Sequence, residues 1–179
     1  VTIDEIAEAA DVSRMTVFNH FSRKEDMFFD LDDEGRDDML NALQKRDHAT
    51  APLEALRLFV HWAVAQQRPY VLFFEAGSGR FMATLQASEV LRARARAIRD
   101  ELTDVLTVAL ARSKKRVMPD PAASLAASLL VATCTVALNE AYRVFYRDKN
   151  VDAANKAFLR IVDWGTRGVK AAMKGTPYQ

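Results

Sequence analysis

The chain has 179 residues, a formal net charge of +1, one cysteine (Cys134), and half of its residues are hydrophobic. That suffices for a sizeable core in one large or two small domains. A lone cysteine excludes an internal disulfide and fits a reducing, cytoplasmic setting, with Cys134 read as a buried small hydrophobe. Glycine and proline are scarce, at 6 and 5, and Asn-Gly or Asp-Gly turns and alternating strand runs are missing, so composition points to an all-α fold.

Thr2 and Glu5 form a capping box that opens a first short helix, with Ile3, Ile6, Ala7 and Ala10 as its apolar stripe. Asp11-Val12 turns without glycine, and Ser13 is an N-cap for a second helix, Arg14 to His20. Ser22 and Glu25 predict a second capping box and a third helix into the 40s, its apolar positions Met27, Phe28, Leu31, Met39 and Leu43 broken by acids from Asp30 to Asp38. A helix follows from about Leu53 to Gln67, a short one from Pro69, and a loop over "EAGSGR" at 75–80. A long helix runs from Thr84 or Ser88 to Arg112. After the basic loop "SKKRVMPDP", Pro121 sits in the first turn of a buried helix reaching about Arg147. "DKNVD" separates it from a last helix ending near Lys174. The uncharged run Ala122–Asn139 approaches the length of a membrane span, but its alanine, serine and threonine favour a buried soluble helix, with no membrane role. No signal-peptide pattern opens the chain.

Residues 1–50 hold more acids than bases, yet Val12–Lys24 carries Arg14, Arg23 and Lys24 and no acid. A cationic island in an acidic segment predicts a polyanion contact at one place. Helix, three-residue turn and short second helix is the helix-turn-helix layout, whose second helix enters the major groove. Ala7 and Val12 are expected where the helices pack, with Val17 and Phe21 toward the core. Arg14, Met15, Thr16, Phe18, Asn19 and His20 then face outward. Arg14 suits guanine, Asn19 suits adenine or a phosphate, and Thr2, Ser13, Thr16 and His20 suit phosphates. Lys24, read as lying in a first helical turn, opposes the dipole there unless an anion is near.

"TIDEIAEAADVSRMTVFNHFSRKEDMF" resembles the N-terminal domain of the tetracycline-repressor (TetR) family, through the pattern "IA..A.VS..T.F.HF..KE.M" from Ile6 to Met27. The resemblance implies a DNA-binding homodimer whose second domain takes up a small ligand. Thr2, Thr16, Phe18, His20 and Lys24 match phosphate-contacting positions, and Arg14, Met15 and Asn19 match base-reading ones. Phe18 stands where tyrosine is common, so a hydroxyl contact is lost. Family members also carry a helix ahead of the position of Thr2, so the sequence is read as an incomplete copy of the native chain. The expected domains are 1–28 for DNA and 29–179 for regulation and dimerisation.

Other signals are weaker. "GSGR" at 77–80 lacks the strand and Gly-Lys-Ser/Thr of a phosphate loop and reads as a connector. His20, His48 and His61 lack metal spacing, and no catalytic triad can be assigned, so no metal, cofactor or enzymatic activity is expected. Arg92, Arg96 and Arg99 share a helix face near Arg94, read as solvated or, alternatively, as an entrance for acidic ligands. Phe59, Trp62, Phe73, Phe74, Phe81 and Met82, gathered near Tyr70, with Thr135, Asn139 and Tyr142 on the buried helix, are candidate pocket residues as well as candidate core. Phe158, Ile161, Val162, Gly165, Val169 and Ala172 of the last helix, with Ala137, Ala141 and Val144, are read as a dimer interface or an intrachain core. Gly165 inside a helix costs about 1 kcal/mol relative to alanine unless a helix approaches closely. The expected function is a ligand-responsive regulator, read as a repressor, with a palindromic double-stranded operator, a second copy of itself and an unknown small-molecule effector as partners. The rivals are a helical binder or enzyme with a vestigial helix-turn-helix, and a regulator controlled by a protein partner.

Overall fold

A computed structural model describes residues 2–29, 32–71 and 78–179. All regular structure among them is helical: α1 (Ile3–Ala9), α2 (Arg14–His20), α3 (Asp32–Gln44), α4 (Pro52–Ala65), α5 (Ser78–Ala87), α6 (Glu89–Ser113), α7 (Pro121–Asp148) and α8 (Val151–Ala172). Short 3-10 turns lie at Asp26–Phe29 and Pro69–Val71.

The helix starts follow local chemistry. Ser88, Asp120 and Asn150 each accept a backbone N–H in the first turn of α6, α7 and α8, satisfying a donor that the helix leaves open. Proline occupies the first turn of α4 and α7, where its missing N–H costs nothing. Asp120 also accepts from the Tyr178 hydroxyl at 2.8 Å, and Tyr178 is fully buried beneath it.

Two expectations fail at helix starts. Ser22 and Glu25 form no capping box: the Ser22 hydroxyl and the Arg23 N–H both go to Asp26 Oδ2, at 3.3 and 3.2 Å. That carboxylate caps a 3-10 turn, and α3 begins only at Asp32. Lys24 therefore lies in a turn, not in a helix where its charge opposes a dipole. The end of the predicted 75–80 loop is helix as well, because α5 starts at Ser78; residues 72–77 lie outside the described ones.

α7 is the central helix, packed between α6 and α8, and α4 leans on α8. By length and composition α7 could cross a membrane, but here Ala123, Ala126, Ala127, Ala137 and Ala141 are fully buried against other helices. One core cluster joins α3, α4, α6, the first half of α7 and Tyr178. A second joins the far half of α7 to α8. Arg57 bridges Glu54 (2.7 Å) and Asp163 (3.0 Å), and Lys170 also pairs with Glu54, so charge fastens α4 to α8. Arg57 and Lys170 hold the Glu54 carboxyl down at about 2.

The residues read as a dimer interface fall inside the chain. Ala137, Ala141, Val144, Phe158, Val162 and Val169 are buried, and Ile161 packs against the second cluster. The partner that approaches Gly165 is α7 of the same chain: a Cβ on Gly165 would lie 2.1 Å from Thr133 Cγ2. The stripe packs against helices of its own chain, apart from Ala172, which is exposed. What α7 and α8 leave exposed is a different face, with Leu125, Val136 and Trp164.

Candidate nucleic-acid interface and regulatory cavity

The capping box of α1 is present: Thr2 N–H donates to Glu5 Oε2 at 2.7 Å, and Glu5 N–H to Thr2 Oγ1 at 3.2 Å. These bonds hold the Glu5 carboxyl below its ordinary range. The turn is made by Asp11 in the left-handed region, at φ 54°, a conformation that aspartate tolerates better than most residues. Val12 N–H then returns to Ala7 O at 3.0 Å. Ala7 is buried as expected, whereas Val12 is exposed: the backbone bond rather than its side chain closes the corner. Ser13 caps α2 through Thr16 N–H at 3.0 Å, and the two hydroxyls share a bond at 2.8 Å.

Val17 is buried and Phe21 half-buried. The opposite face brings together Arg14, Met15, Phe18, Asn19 and His20, all exposed, with Thr16 half-buried at its edge. Thr2, Ser13 and Lys24 are exposed too. Arg14 pairs with Asp4 of α1 at 3.3 Å and lies over the Phe18 ring at 5.5 Å. Sequence reasoning missed Asp4, whose signal is an acid opposite a base across two short helices. Both partners are exposed, so the pair is weak and a nucleic acid can displace it.

The segment after α2 is fastened to the helices behind it. Asp26, which accepts from Ser22 and Arg23, also receives Arg94 of α6 at 2.7 Å, and Arg94 reaches Glu101 at 2.7 Å. These two acids raise the Arg94 pKa, Glu101 more strongly. Phe28 stacks on Phe81 of α5, with centroids 4.2 Å apart, and Phe29 meets the same ring edge-on. Arg94 is thus a strut, while Arg92 and Arg96 pair with Glu89 on the solvated side and Arg99 borders a shallow α6–α7 groove.

A cavity of ≈ 240 Å³ opens among α3, α4, α6, α7 and α8. Its wall is mostly aliphatic, with Leu56, Val60 and Ala63 from α4 and Leu130, Cys134 and Leu138 from α7. Of the predicted pocket residues Phe59 lines it and the others described do not. Trp62 is exposed, Phe81 is held by Phe28, and Met82 packs on the second core cluster. The Thr135 hydroxyl donates to Val131 O and the residue borders the α6–α7 groove. Asn139 is exposed and Tyr142 is buried in the second cluster. Phe73 and Phe74 lie outside the described residues. The helical period explains two of the misses on α7: positions 130, 134 and 138 share one face, and 135 and 139 are turned about 100° away, whereas Tyr142 follows on the 138 face but packs in the second cluster. Sequence reasoning also missed Arg36, Thr133 and Thr166 on the wall.

Cys134 is half-buried with its thiol on this wall, and desolvation pushes the thiol up to about 11. Only thiolate reacts with alkylating agents, so Cys134 should react with iodoacetamide about a hundredfold more slowly than free cysteine at pH 8. Its rate should keep rising with pH toward 11. A free-cysteine rate in the folded protein would contradict that burial.

No curated protein and no solved structure matches the chain. Residues 1–31 match the family model of bacterial regulatory proteins, tetR family. The match spans α1, the Asp11 turn, α2 and the 3-10 turn that Asp26 opens. This segment, with its helix-turn-helix, is therefore similar to the tetR family of bacterial regulatory proteins, and the likeness supports a DNA-binding transcriptional regulator.

Proposed function

We propose that the protein binds a palindromic operator as a homodimer, acts as a repressor, and is released by a small molecule in its helical domain. The observation that carries this reading is mechanical. The turn directly after the recognition helix is pinned to α5 and α6 by Phe28–Phe81 and Asp26–Arg94, and α6 also walls the apolar cavity. Ligand that favours one arrangement of α6 thereby favours one placement of α2. In a dimer that placement sets the spacing of two recognition helices, which must match successive major grooves.

Residues 1–28 form the DNA-binding unit in this reading and 29–179 the regulatory one. Thr2, Ser13, Thr16, Phe18, His20 and Lys24 hold the phosphate backbone, and Arg14, Met15 and Asn19 read base edges. The exposed face of α7 and α8, with Leu125, Val136 and Trp164, replaces the buried stripe as the surface for the second copy. A two-fold interface buries the same patch on both partners.

Selection of random duplex DNA by the full chain tests the reading. Enrichment of a palindrome, with binding that weakens steeply as salt rises, is the expected result. Folded dimer that enriches no sequence would favour the rival, a helical binder in which the helix-turn-helix is vestigial.

A further inference from the structure

Arg36 of α3 has two faces. It lines the apolar cavity, and it also lines the cleft between the recognition helix and α6, beside His20, Asp26 and Arg94. Ile98 is the other residue common to both walls. The second arginine on the cavity wall, Arg57, is matched: Glu54, Asp163 and His61 all lie within hydrogen-bond reach of it. Arg36 is not matched in that way. Its acidic neighbours, Asp33 and Glu101, stand at 4.0 Å, too far for hydrogen bonds. Its buried Nε has no hydrogen-bond partner among the described residues.

A neutral apolar molecule in the cavity would leave that buried donor unsatisfied, and such a group is expensive. A carboxylate presents two oxygens at the spacing of a guanidinium fork and matches one positive charge. A doubly charged phosphate would bring more charge than Arg36 offsets, because the wall's other arginine, Arg57, is already paired with Glu54 and Asp163. From this geometry we infer that the effector is an apolar monocarboxylate, its hydrocarbon body between α4 and α7 and its carboxylate on Arg36. The inference rests on the ligand-responsive reading above and names the ligand class. It also supplies a route for release. A carboxylate that draws Arg36 from Glu101 acts on the acid that holds Arg94, and Arg94 holds Asp26 beside the recognition helix.

The test is calorimetric binding of matched pairs to the full chain: decanoate against decanol, and 4-phenylbutanoate against 4-phenylbutanol. The acid of at least one pair should bind about tenfold tighter than its alcohol, as a charge-assisted hydrogen bond allows. Arg36→Met should erase that difference, the acid losing more affinity than its alcohol, and Arg36→Lys should restore part of it. Equal affinity of acid and alcohol in both pairs overturns the carboxylate assignment and leaves the cavity as a ligand site. An acid preference that survives in folded Arg36→Met overturns the role of Arg36. Failure of all four compounds to bind overturns the apolar-monocarboxylate class, and the DNA selection above then decides the regulator reading on its own. Should Arg36→Met not fold, the matched pairs on the unaltered chain decide the ligand class, and Arg36→Lys decides the residue by a reduced preference.

Discussion

Gly165→Ala should destabilise the protein by about 2 kcal/mol or more, although alanine is the better helix former by about 1 kcal/mol. The added methyl would stand 2.1 Å from Thr133 Cγ2 and 2.3 Å from its hydroxyl. A rotation of Thr133 relieves those two contacts but breaks its bond to Leu129 O at 2.8 Å. It leaves the third, 2.8 Å to the Thr133 Cβ, which only separation of α7 and α8 relieves. Thr133→Ala should therefore rescue Gly165→Ala in part and not in full. Gly168 lies one turn on in the same helix with nothing near its missing Cβ, so Gly168→Ala should raise stability by about 1 kcal/mol. Denaturant midpoints of the four variants check the series. Equal effects at 165 and 168 would mean that the helix contact is looser than the geometry has it.

Arg14→Ala should weaken binding to the selected operator by about 1–3 kcal/mol and relax preference at one base position. The loss should be smaller on random duplex, where only phosphate contacts remain. The side chain must first leave Asp4 and the Phe18 ring. Asp4→Asn should accordingly tighten binding slightly, by removing both a competitor and a negative charge beside the groove. Anisotropy titrations on operator and random DNA at several salt concentrations separate these effects. Equal loss on the two DNAs would assign Arg14 to the backbone and leave base reading to Met15 and Asn19.

The DNA-binding corner was legible because its information is local. Thr2 with Glu5, Ser13 with Thr16, and the seven-residue length of α2 are settled within a few residues of each other. The all-helical fold and the breaks at Ser88, Asp120 and Asn150 were legible for the same reason. The second capping box misled because Asp26, one residue beyond Glu25, offered a competing acceptor. Long-range choices were harder. A stripe such as Phe158, Val162, Gly165 and Val169 announces that it will be covered, but not whether the covering helix comes from its own chain. The aromatic cluster near Tyr70 drew attention away from the aliphatic faces of α4 and α7 that form the chamber. Arg36 gave no sequence signal at all, since a charged residue in an acidic helix reads as solvated surface.

The chamber wall has two sorts of residue, and they differ in what they are free to become. Leu56, Val60, Leu130 and Leu138 touch the chamber and not the cleft behind the recognition helix. On the ligand-responsive reading proposed above, their sizes can be traded against one another, so a sensor for a new compound can be sought by reshaping these positions while the DNA-facing half is left alone. Arg36 and Ile98 belong to both spaces. On the same reading, a library that varies those two would retune recognition and output together, so they are the positions to hold fixed when only ligand preference is to change.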